Sequence, residues 1–108
     1  MSLKKILLAL SLLLLVGCSA VDVTKTNKGF YDPTDPNEIE ILKTTPSKSY
    51  EEVGTITAVR FDPTETAVMH NAIRTKVAPL GATAAILMQE GLDQNGRRWA
   101  MGVAIRYK

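Results

Sequence analysis

The stretch VGTITAVRFDPTETAVMHNAIRTKV, residues 53–77, decides the fold, because its apolar period changes at Asp62-Pro63. Before that point alternate residues share a face, with Val53, Thr55, Thr57, Val59 and Phe61 on one side and Gly54, Ile56, Ala58 and Arg60 on the other. Both sides are partly apolar, which predicts a strand covered on both faces. Asp62-Pro63-Thr64-Glu65 then reads as a helix start. Asp62 is placed to cap, Pro63 suits the first helical position and Glu65 completes a capping box. Beyond it Val68, Met69, Ala72, Ile73 and Val77 recur at helical spacing and form a predicted buried stripe, with Asn71 and Arg74 off it. Pro79 lacks the amide a helix interior needs, so the helix should stop there, with Gly81 as terminator and Leu80 packing back on the sheet.

Working outward, Glu38 to Leu42 begins with polar/apolar alternation and predicts a first strand. Thr44 to Glu52 reads as a loop whose far end Tyr50 anchors. Ala82 to Gln89 predicts a third strand, residues 90–97 a turn containing the hairpin signal Asn95-Gly96, and Arg98 to Tyr107 a fourth strand. On the fourth, Trp99, Met101, Val103, Ile105 and Tyr107 face one way and Ala100, Gly102, Ala104 and Arg106 the other. The small face leaves room for close approach by the helix or by a partner's sheet. The expected fold is α/β (α+β): a small ββαββ domain over 38–108, a four-stranded sheet with one helix. About 70 residues is small for a core without cross-links, so the expectation is either marginal stability or stability helped by self-association.

The chain has 108 residues, one Cys, one His, and a formal charge of +2. That length fits one domain, and a lone cysteine excludes an internal disulfide framework. The charge is misleading. Residues 1–17 read as an export signal, with Lys4 and Lys5 ahead of an apolar run from Ile6 to Val16 broken only by Ser11. That run is shorter than the ~20 residues a membrane-spanning helix needs. Without it the chain keeps 91 residues with 11 basic and 11 acidic groups, so the basic footprint of a nucleic-acid binder is missing.

The end of the run, Leu15-Val16-Gly17-Cys18, resembles the lipobox of bacterial lipoproteins. That resemblance implies cleavage before Cys18, diacylglycerol on its thiol and acylation of its new amino group. Two or three acyl chains hold a protein on a bilayer durably, where one does so only marginally. In that family the residue after the cysteine directs sorting. Ser19, rather than Asp, implies the outer membrane, facing the periplasm. Residues 18–37 then read as the lipidated cysteine and a flexible tether. They hold two Asp-Pro pairs, Asp32-Pro33 and Asp35-Pro36, and little apolar period. Phe30 and Tyr31 interrupt it, to dock on the domain or to lie near the lipid.

No catalytic set stands out. His70 adjoins the helix stripe and reads as a partly exposed structural residue. The alternative is soft-metal binding with Met69, Met88 or Met101, since thioethers suit Cu(I), but two of these methionines fit strand cores. Glu51 and Glu52 point opposite ways on a strand, and Glu90 and Asp93 flank a turn. Arg97 and Arg98, with Tyr107, are the candidate partner-binding residues, although a solvated strand end is the simpler reading of the arginines.

Through Tyr50-Glu51-Glu52-Val53-Gly54-Thr55-Ile56, Leu80-Gly81-Ala82-Thr83-Ala84 and Gly102-Val103-Ala104-Ile105-Arg106-Tyr107, the chain resembles a family of small bacterial lipoproteins and their cytosolic relatives. That family includes the sensor lipoprotein of the Rcs envelope-stress phosphorelay and the heavy-metal-binding small domains. The resemblance implies an α/β domain displayed from a lipid anchor and acting through contacts with envelope proteins. The disulfides of the Rcs sensor have no counterpart here, where Cys18 is the only cysteine. The expectation is a non-enzymatic, lipid-anchored envelope protein without a cofactor or bound metal. Its partners would be the membrane and another envelope protein or a second copy, and not nucleic acid. The alternative is a periplasmic module for a small ligand or metal.

Overall fold

Five strands, rather than four, flank the single long helix in the computed structural model, which describes residues 18–108. The expected export signal lies outside the described residues. In chain order the elements are β1 (Ala20–Lys25), a 3-10 turn (Pro36–Glu38), β2 (Glu40–Leu42), β3 (Tyr50–Phe61), α1 (Thr66–Val77), a second 3-10 turn (Ala78–Leu80), β4 (Ala84–Leu92) and β5 (Arg98–Tyr107). The sheet order is β1-β3-β5-β4-β2, with β2 parallel to β4 and every other pair antiparallel.

The fifth strand corrects the reading of residues 18–37 as a flexible tether. β1 pairs with β3 from Ala20 opposite Val59 to Lys25 opposite Gly54. Val21 is buried and Val23 packs against the same core, while Asp22 and Thr24 face water. This is the period-2 pattern of a half-buried strand, compressed into Val21-Asp22-Val23-Thr24. The rest of the segment is also tied down. Thr34 donates its amide to the Ala78 carbonyl (3.0 Å) and its hydroxyl to the Ala82 carbonyl (2.5 Å). Tyr31 packs on the core, hydrogen-bonds to Glu51 and lies under the Arg106 guanidinium, whereas Phe30 is 90% exposed.

β3 departs from strict alternation in a way its sequence hides. Its register against β5 slips between Glu52 and Gly54 and again between Ala58 and Phe61, where Arg60 adopts φ +61°. Each slip is a bulge that shifts the phase of the side chains by one residue. Val53 and Phe61 therefore join Ile56 and Ala58 in the core beneath the helix, and Thr55 and Thr57 are left exposed on the far face. On β5 the expected alternation holds. Ala100 and Ala104 lie in the helix-side core, while Val103, Ile105 and Tyr107 pack with Ala84, Ile86, Leu42 and Tyr50 on the far face. The small face thus serves the core beneath the helix.

The helix starts later than the capping box predicts. Asp62 accepts from the amide (2.8 Å) and hydroxyl (2.7 Å) of Thr64, closing a local turn, and α1 begins at Thr66 with no side-chain cap. A missing cap forgoes ~1 kcal/mol. Burying Met69, Ile73 and Val77 contributes ~1.5–3 kcal/mol each and outweighs it. Val68, expected in the stripe, is 52% exposed. The helix ends as expected: the Pro79 turn leads into Gly81 at φ +78°.

Candidate functional site

At one end of the sheet, Cys18 is exposed and a single residue, Ser19, separates it from β1. The Cys18 carbonyl accepts a hydrogen bond from Arg60 Nε at 2.7 Å. Arg60 is the residue with positive φ in the second β3 bulge. Beside it a cleft of about 500 Å³ runs between the start of β1 and α1. Ser19 to Asp22 form one wall, and Val68, Ala72 and Lys76, at four-residue spacing on α1, form the other, with Phe61 between them.

The three candidate partner-binding residues are not one site. Arg97 is exposed at the tip of the β4–β5 hairpin, where Asp93 Oδ1 accepts its backbone amide at 3.0 Å. Arg98 reaches back to the Pro63 carbonyl (3.2 Å) and leaves its Nε buried without a hydrogen bond. Tyr107 lies at the opposite end of β5, nine residues away, which at ~3.3 Å per residue is about 30 Å. There its hydroxyl donates to Glu40 (3.2 Å), and Lys48 lies over its ring. Its pKa is raised by burial and by the nearby Glu40 carboxylate.

A polar cluster that the sequence did not signal surrounds His70. Burial, then the Lys43 ammonium, lower the His70 pKa; Glu90 opposes them, and Arg74 and Arg98 add to the lowering. Lys43 pairs with Glu90, and Arg74 Nε donates to the Ile39 carbonyl at 2.9 Å. His70 Nε2, Glu90 Oε1 and Arg98 Nε are buried without hydrogen bonds. Residues from the β2–β3 loop, α1, β4 and β5 meet here, so no local spacing in the chain announces them. Met69 is in the core, whereas Met88 and Met101 are exposed on the far face, so the thioethers do not gather around His70. Among the described residues no group of three or more His, Cys, Asp or Glu is arranged to hold a metal ion.

The far face carries a shallow depression of about 390 Å³ lined by Thr55, Thr57, Met88, Gln89 and Met101.

Neither a family model nor a curated protein matches the chain. The fold has a solved counterpart. It is similar to the crystal structure of the Francisella virulence factor FvfA, with a TM-score of 0.57 and 11% identity over 80% of this chain and 96% of that one. At that identity the likeness shows the fold alone.

Proposed function

We propose that the protein is a lipid-anchored envelope protein, attached through Cys18 to the outer membrane on its periplasmic side. In this reading it is non-catalytic and acts through contacts with other envelope proteins, in a structural or stress-sensing role. The observation that carries it is the lipobox-like Leu15-Val16-Gly17-Cys18, followed at once by a folded domain. The exposure of Cys18 and the balance of acidic and basic groups after residue 17 support it. A fatty-acid analogue fed to cells should label the protein and fail to label Cys18→Ser; persistent labelling of that variant would refute the anchor. Photo-crosslinkers at Arg98 and at Tyr107 test the contacts, and a reproducible envelope partner from either end is the expected result.

A second reading, binding of a small anionic ligand, is favoured by the unsatisfied polar cluster around His70. It predicts saturable heat on titration with inorganic phosphate, weakened in His70→Gln.

A further inference from the structure

We propose that a partner protein docks an extended segment as a sixth strand on the free edge of β1, its side chains entering the cleft between β1 and α1. The inference rests on the protein-contact reading above and names its surface.

β1 is an edge strand, and its inner side is fully used by β3. The Thr26 amide continues that ladder by donating to the Val53 carbonyl at 3.1 Å. In an antiparallel pair, alternate residues turn their N–H and C=O groups inward. Counting back from Thr26, the backbone groups of Val21, Val23 and Lys25 point outward. Among the described residues these groups have no hydrogen-bond partner. Folded proteins protect such edges with proline, bulges, charge or extreme shortness. β1 has six residues, no proline and no bulge; its two charges are Asp22, whose side chain faces water, and Lys25, at the end away from the cleft.

A bare edge calls for another backbone, and the cleft calls for side chains. Val68, Ala72 and Lys76 form one ridge of α1 alongside the start of β1, and Val68 is half exposed although apolar. An added strand sends every second side chain toward that ridge. Strand addition beside a helix draws affinity from main-chain hydrogen bonds and selectivity from the side chains in the groove. Charge narrows the choice further. Lys76 is exposed and Asp22 faces water beside the same cleft, and neither has an ion pair among the described residues. The matching segment is extended and carries an apolar residue for the Val68–Ala72 ridge and an acidic one for Lys76. The far-face depression around Met88 and Met101 has no such row of unpaired backbone.

The test uses the full chain, purified with its anchor in detergent, and a phage-displayed library of random peptides about nine residues long, a typical strand length. Selected peptides, made synthetically, should bind saturably and shift the amide resonances of residues 20–25 and 68–76. Val23→Pro removes one outward N–H and should weaken binding at least tenfold. Val68→Lys fills the cleft from a half-exposed helix position and should do the same without disturbing the fold, which guards against Val23→Pro failing to fold. Met101→Lys, on the far face, should bind like the parent. No selection above background would overturn the proposal. So would resonance shifts centred on Met88 and Met101, parent-like binding by folded Val68→Lys, or a dimer that forms through β1 and excludes peptide. Envelope crosslinks from Arg98 or Tyr107 without any peptide at β1 would leave the anchored, protein-contact reading standing and remove this surface from it.

Discussion

His70 sits half-buried among three cationic side chains and one carboxylate, and burial with the Lys43 charge holds its pKa below the ordinary 6.5. The unfolded chain therefore binds a proton that the folded chain resists, and stability falls as pH drops below about 6.5. Urea midpoints should decline from pH 7 to pH 5, and His70→Gln should flatten that slope; an unchanged slope would show that His70 is not the source. Asp62 does not confuse the measurement. Its carboxyl is lowered from 3.8 by the Thr64 hydrogen bonds, so its contribution is lost only at more acidic pH. A second residue-scale prediction concerns Gly102. A Cβ there would stand 1.9 Å from the Ile86 carbonyl oxygen, a backbone atom that cannot step aside. At Gly91 the obstacle is the Trp99 ring at 3.1 Å, which can shift. Gly102→Ala should lower stability by ~1–3 kcal/mol and Gly91→Ala by clearly less, both read from denaturant curves.

β1 is the element on which the physical meaning of the N-terminal segment turns. If residues 19–25 were a tether, deleting them would leave the domain intact. As a strand they hold Val21 and Val23 on the core and cover one side of β3. Losing two valines from that position removes roughly 3 kcal/mol or more. That is a large share of the ~5–15 kcal/mol of an ordinary domain. The deletion should broaden the thermal transition or abolish it, and a parent-like melting temperature would argue that β1 contributes little. The sequence showed β5 well, because large and small residues alternate without interruption over the seven positions Trp99–Ile105. It showed the body of α1 through the spacing of Met69, Ile73 and Val77 and its stop through Pro79 and Gly81, but it set the start too early and put Val68 in the buried stripe. It misread β1, where four alternating residues sit inside a run of Thr, Asn, Lys and Pro. It also misassigned the faces of β3, because a bulge changes phase without changing composition. The His70 cluster was invisible for a third reason: its members are far apart in the chain and only the topology brings them together.

At the scale of the whole molecule, the position of β1 changes what an anchor at Cys18 would do. A tether of 15 to 20 residues would let the domain wander; one intervening residue, Ser19, would hold one end of the sheet at the lipid surface. That end is defined by the register: Ala20 pairs with Val59, and Trp99 precedes Ala100, the partner of Ala58. Trp99 is the only tryptophan in the chain, so its fluorescence reports on this end alone. On the lipid-anchored proposal, full-length protein in vesicles containing lipids brominated near the headgroup should show a quenched Trp99. Inserting a Gly/Ser linker of about 15 residues between Ser19 and Ala20 adds a root-mean-square reach of ~20 Å. The linker variant should recover most of its fluorescence while remaining labelled by the fatty-acid analogue. Equal emission from parent and linker variant, both lipidated, would mean that the short connection does not hold the sheet end against the bilayer.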